Sequence, residues 1–233
     1  RAHQAVDVDD RLAAGETDWA ICGASLRSPD TSQALDPQDG LYTLSTRSAA
    51  GETLRIIGSL RKLLVAPADP LKLLYAMSDP AVRIVSLTVT EKGYCHNPAT
   101  GELDEAHADI RHDTANPQSP RSAPGFIVEA LARRRAAGIK PFSVFSCDNL
   151  PNNGATARNV VMRLATLRDA DFGKWVADEM AFPSTMVDGI VPETTDEDRP
   201  LISQRLVSID TSRGKREPFT TGVTAGLFYN GPP

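Results

Sequence analysis

The sequence predicts an α/β protein whose strands run parallel, and three stretches carry that expectation. Phe142-Ser143-Val144-Phe145-Ser146 is a short run of β-branched and aromatic residues that reads as a buried strand. It breaks into Cys147-Asp148-Asn149-Leu150 and the turn Pro151-Asn152-Asn153-Gly154, and helical spacing resumes from Ala155 to Arg168. Arg83–Thr90 is strongly β-prone and reads as a central strand. Between the two lies Ser122–Gly138, a helix by the recurrence of Phe126, Ile127, Ala130 and Leu131, with Gly138 suited to its C-cap. Strand, polar turn and helix in that order form one unit of a parallel sheet, and such sheets bind ligands in the crevice at the carboxyl ends of their strands. Asp148 and Asn149 belong to that edge. Asx residues also shape turns and cap helices, so an architectural role stands beside the functional one.

The remaining elements follow in order. Arg1–Val6 reads as a helix already under way, and Asp18–Ala24 as a strand ending in a turn. Leu26-Arg27-Ser28-Pro29-Asp30 comes next; after the second strand of a dinucleotide-binding sheet an acid can hold the ribose 2′-hydroxyl, which makes Arg27 and Asp30 candidates. A surface turn would carry the same residues. Leu41–Thr46 and Leu54–Leu60 flank Ser48–Glu52 as an antiparallel hairpin, so Gly40–Val65 reads as an insertion between parallel units. Pro70–Ser78 has helical spacing, and Glu91-Lys92-Gly93-Tyr94 stands at the end of the central strand. Asn97–Gly101 is a turn, and Lys174-Trp175-Val176 belongs to a short helix. Phe182–Pro192 is bounded by prolines and holds one buried-looking acid, Asp188.

Composition narrows the function classes. A chain of 233 residues has room for one large domain, and its net charge of -5 comes with no basic stripe, so nucleic acid is not an expected partner. Arg133-Arg134-Arg135 lies in a helix, where a solvated face is expected. His96, His107 and His112 match no zinc spacing, and no metal is expected. Cys22, Cys95 and Cys147 are too scattered for a disulfide framework; Cys22 and Cys147 fall in strand-like runs and read as buried thiols in a reducing compartment. With no signal peptide and no apolar run long enough to span a bilayer, a cytoplasmic protein without a membrane partner is expected.

Five stretches together resemble the polyol-specific long-chain dehydrogenase/reductase family, which includes mannitol 2-dehydrogenases and fructuronate reductases. They are Arg1-Ala2-His3-Gln4-Ala5, Leu26-Arg27-Ser28-Pro29, Thr88-Val89-Thr90-Glu91-Lys92-Gly93-Tyr94, Ser146–Leu150 with Asn153-Gly154, and Phe182–Asp188. Thr-Glu-Lys-Gly-Tyr-Cys is more similar to the fructuronate reductase branch than to the mannitol branch. The resemblance implies an incomplete Rossmann-type dinucleotide-binding domain over residues 1–192, with residues 193–233 opening the interdomain region. It implies NAD as cofactor, hydride transfer at a ketose-type carbon of a sugar acid or polyol, and a helical substrate domain whose lysine exchanges the proton. Asn149 would donate to the developing alkoxide, Glu91 would lie near the nicotinamide, Asp188 beside the lysine, and Thr90, Arg27, Asp30 and Asn149 would border the cofactor.

Departures from the family pattern bear on these roles. The glycine loop and first strand that precede the segment matching Arg1-Ala2-His3 are missing, and Gly189 replaces an arginine. Thr221-Gly222 stands where glutamine-tryptophan is expected after Glu217-Pro218-Phe219. With the C-terminal substrate domain also missing, the chain is expected to be a fragment without activity of its own. A mannitol 2-dehydrogenase and a noncatalytic nucleotide-binding remnant are the alternatives.

Overall fold

The computed structural model describes residues 2–48, 51–186, 213–216 and 222–225, and these divide into two compact units. The first takes in the residues up to Val65 with 213–216; the second runs from Ala66 to Met186 with 222–225.

In the first unit, helix α1 (Ala2–Ala13) leads to strand β1 (Ile21–Ser25), helix α2 (Asp30–Leu35), strands β2 (Tyr42–Ser48) and β3 (Gly51–Ile57), and strand β4 (Leu60–Val65). The β2–β3 hairpin forms as expected, antiparallel from Tyr42↔Ile57 to Ser48↔Gly51, and β2 also pairs with a strand at Arg213–Arg216. The insertion is shorter than expected: Leu60–Val65 runs parallel to β1, with Gly23 opposite Leu63 and Ala24 opposite Leu64. Ser59 makes the break. Its hydroxyl donates to the Ala5 carbonyl at 2.7 Å while its own carbonyl accepts the Ile21 N–H at 2.9 Å, which starts the parallel register.

Helix α1 fastens the hairpin. Ala5 and Val6 pack with Leu44 and Ile57, and Ile21 and Tyr42 lie against that cluster. At its rim the Asp9 carboxylate accepts the Gly58 N–H at 2.8 Å and the Arg55 guanidinium at 2.6 Å. Cys22 is exposed, contrary to expectation, because it falls on the open face of an alternating strand; Cys95 is the buried thiol. Burial, with the Asp9 charge adding to it, pushes the Tyr42 hydroxyl up to about 12. Between about pH 10, where an unfolded tyrosine ionises, and that value the folded chain keeps a proton the unfolded chain has lost, so stability falls as pH rises. Urea unfolding across that window should show the fall, and Tyr42→Phe should make it shallower.

In the second unit, helix α3 (Pro70–Ser78) begins at Asp69, whose carboxylate accepts the Lys72 N–H, with Pro70 in the first turn. Strand β5 (Ile84–Leu87), helices α4 (Ala108–Ala115) and α5 (Ala123–Ala136), strand β6 (Ser143–Ser146), helices α6 (Asn153–Arg168) and α7 (Ala170–Glu179) and strand β7 (Ser184–Met186) follow. The expected parallel neighbours are found: β5 and β6 pair from Ile84↔Ser143 to Leu87↔Ser146. Strand β6 is held on both sides, since the Ser143 N–H donates to Arg83 and the Val144 N–H to Ala181. The segment lies deep in the unit, with Phe142 and Val144 fully buried.

Helix α5 starts where expected, with the Ser122 hydroxyl accepting the Gly125 N–H, and ends at Gly138, which takes φ +67. Its arginines are not all a solvated face: Arg135 is exposed, but Arg133 is half-buried and Arg134 buried. Arg134 is 2% exposed; its guanidinium donates to the carbonyls of Met77, Asp79 and Lys140 and lies over the Phe142 ring. A long cation can be buried where it satisfies the carbonyls that a helix end and a turn leave over.

Gly154, in the first turn of α6, is fixed by space: a Cβ there would stand 2.6 Å from the Phe182 carbonyl oxygen and 2.8 Å from the Ser184 nitrogen. Both are backbone atoms, so Gly154→Ala should destabilise the unit by about 2–3 kcal/mol, measurable as a lowered urea midpoint.

Candidate active site at the ends of β5 and β6

The two parallel strands deliver two loops to one edge, and a single carboxylate joins them. Asp148, just past β6, accepts the Val89 N–H at 3.0 Å, the Thr90 N–H at 3.1 Å and the Tyr94 hydroxyl at 2.8 Å. This is why β5 stops at Leu87 and not at Thr90 as the residues suggested: the amides that would extend the strand go to Asp148. Nor does Asp148 cap α6, whose N-cap residue, Asn152, makes no side-chain cap bond. Tyr94 gives its one proton to Asp148, so the Ser146 hydroxyl, 2.5 Å away, donates to the Tyr94 oxygen. Burial, with the Asp148 charge beside it, raises the Tyr94 hydroxyl above the range of a free tyrosine.

A second side chain ties in β7. The buried Asn153 donates to the carbonyls of Asp148 and Thr185 and accepts the Thr185 N–H at 3.0 Å. The Thr185 hydroxyl in turn donates to the Ser146 carbonyl. These polar groups satisfy one another in a dry setting, where such bonds are strongest and an unpaired group most costly.

The loop after β5 is strained. Thr90 takes φ +64 and ψ 166, a region of backbone space that is nearly glycine's alone and costs about 1–3 kcal/mol for other residues. Such strain persists where surrounding bonds over-determine it, and it concentrates at functional sites.

The candidate residues fall into three groups. Thr90, Glu91 and Asn149 stand on the two loops that Asp148 joins, all three exposed, so polar groups face outward from a rigid base. Arg27 and Asp30 stand at the carboxyl end of β1 in the first unit, both exposed, with Asp30 accepting the Ser28 hydroxyl and opening α2. Asp188 lies outside the described residues. Among the described residues no cluster of three or more His, Cys, Asp or Glu side chains could hold a metal ion, and no helix is long and apolar enough to cross a membrane.

A family model for the mannitol dehydrogenase Rossmann domain matches residues 1–223. The chain belongs to that family. The mannitol 2-dehydrogenase of Cereibacter sphaeroides is 46% identical over 236 residues, which cover 100% of this chain and 49% of that protein. The uncharacterized oxidoreductase YeiQ of Escherichia coli is 44% identical over 235 residues, covering 100% of this chain and 48% of that protein. Among solved structures, Pseudomonas fluorescens mannitol 2-dehydrogenase in ternary complex with NAD and D-mannitol matches with a TM-score of 0.87 at 37% identity, over 97% of this chain and 48% of that one. The chain thus spans about half the length of the curated relatives it matches.

The α/β class expected from the sequence is accordingly the Rossmann-type fold of the mannitol dehydrogenase family. The leaning toward fructuronate reductases is not carried by these relatives, which fit the mannitol 2-dehydrogenase alternative better. Sequence reasoning missed Tyr94, Ser146, Asn153 and Thr185 as members of one network. Only the spacing of Asp148 from the β6 terminus and of Tyr94 from the β5 terminus hinted at it.

Proposed function

We propose that this chain is the NAD-binding half of a cytoplasmic polyol 2-dehydrogenase, with the domain boundary near residue 192. The observation that carries the reading is an exposed asparagine amide, Asn149, on a rigid base at the carboxyl edge of β5 and β6, in a chain 46% identical to a mannitol 2-dehydrogenase.

The residues present suit the cofactor. Asp30 leaves an exposed carboxylate past β1, where an acid accepts from a ribose diol, and Arg27 stands beside it. In the second unit, taken by itself, Thr90 is assigned to the cofactor border. When bound, NAD supplies the acceptor for a hydride leaving the carbinol carbon. Asn149 donates its amide N–H to the substrate oxygen as negative charge grows there, which favours the charged form over the neutral alcohol. Glu91 offers an exposed carboxylate at the nicotinamide end to exchange protons with water, and Asp188 orients the proton-exchanging group of the substrate half.

The test is expression of the complete gene that encodes this chain, followed by assay of NAD+-linked oxidation of mannitol, sorbitol and mannonate and of NADH-linked reduction of fructose and fructuronate. Turnover of mannitol and fructose above the sugar acids is expected. Preference for fructuronate would restore the sugar-acid reading, and no turnover of any of them with tight NADH binding would favour the noncatalytic one. Lys92, exposed beside Glu91, separates the first two: Lys92→Gly would weaken fructuronate far more than fructose only in a sugar-acid reductase.

A further inference from the structure

We propose that Asp148 is a positioning residue for catalysis: it holds the strained Thr90 backbone and thereby sets Glu91, on one loop, against Asn149, on the other. The proposal rests on the roles given to Asn149 and Glu91 above. Asp148 is the chain neighbour of Asn149, and both its oxygens are taken up by the other loop, Oδ2 by Val89 N–H and Tyr94 hydroxyl, Oδ1 by Thr90 N–H. Thr90 sits at φ +64 directly before Glu91, so its relaxation would swing the Glu91 carboxylate. Nothing else among the described hydrogen bonds takes the Val89 and Thr90 amides. An asparagine cannot replace this carboxylate, because one of its two atoms is itself a donor and would face an N–H.

The experiment uses the complete gene product carrying Asp148→Asn, Thr90→Gly, both together, or Tyr94→Phe. Asp148→Asn should lower kcat about 10²-fold with KM for NAD+ changed less than about threefold, the mark of misplaced reacting groups and not of lost cofactor binding. A glycine occupies the Thr90 conformation without strain, so adding Thr90→Gly should recover about tenfold of the lost kcat, read at saturating NAD+ because the Thr90 side chain is itself assigned to the cofactor border. Tyr94→Phe keeps the buried ring, removes one of three donors and should shift kcat in the same direction by a smaller factor. Hydrogen exchange of the Thr88–Lys92 peptide should quicken in Asp148→Asn while Ile84–Leu87 keeps its protection. An unchanged kcat overturns the proposal, as does a loss that Thr90→Gly leaves untouched. If Asp148→Asn does not fold, an unchanged kcat in Tyr94→Phe does the same. Should the parent enzyme turn over no polyol or ketose, the functional reading fails by itself, and unaltered exchange at Thr88–Lys92 would still overturn the positioning role.

Discussion

Replacing Asn149 by alanine in the complete gene product is expected to lower kcat about 10²–10³-fold, the loss seen when one donor to a developing oxyanion is removed. Asn149 is exposed and stands outside the bonds that fix its neighbours, so its amide is available to a substrate oxygen. Asp148 on one side and Asn153 farther along keep their own bonds, so alanine changes the amide and little else. KM for NAD+ should move much less than kcat. Oxidation and reduction should slow by the same factor at saturating cofactor, because both pass through one transition state. A normal turnover number in Asn149→Ala would remove its assigned role.

Glu129→Ala is expected to destabilise the second unit by about 3 kcal/mol, near the low end for breaking a buried ion pair. Glu129 is 4% exposed in the middle of α5, where its two oxygens meet Arg133 at 2.7 Å and Arg168 of α6 at 2.6 Å. The triad therefore clamps α5 to α6. Its arginines are 26% and 33% exposed, so they recover some hydration once the carboxylate is gone, which sets the low end. Urea unfolding followed by far-UV circular dichroism measures the effect. A loss under about 1 kcal/mol would mean that water already screens the triad as it does a surface pair.

Much of the fold was legible because local chemistry and tertiary placement agree. Pro70–Ser78 has its cap, Asp69, and its proline in sequence, and Phe142–Ser146 places an aromatic or β-branched residue on each face of a strand that is largely buried. Failures came where distant atoms decide. Arg134 looks like surface charge until three carbonyls from α3 and the α5–β6 turn surround it. Leu60–Val65 looks like a hairpin continuation until Ser59 fixes the parallel register with β1. The edge position of Asp148 and Asn149 was readable from the strand-turn-helix pattern. Their division of labour was not, since one carboxylate and one amide in adjacent positions differ only in what stands opposite them, and Val89 lies 59 residues away in sequence.

The meeting of Asp148 with the loop after β5, and of Asn153 and Gly154 with the β7 segment, has a consequence for transplanting this site. The run Cys147–Gly154 is not a portable cassette. Its carboxylate terminates on Val89, Thr90 and Tyr94, its second amide on Thr185, and its glycine leaves room for the Phe182–Ser184 backbone. Grafted alone into another parallel sheet, it would bring an Asp without donors, an Asn without a strand to bracket and a gap where the third segment should lie. A recipient scaffold has to receive Thr88–Tyr94 and Phe182–Met186 in the same operation, so the smallest heritable unit of this edge is a trio of segments from three places in the chain.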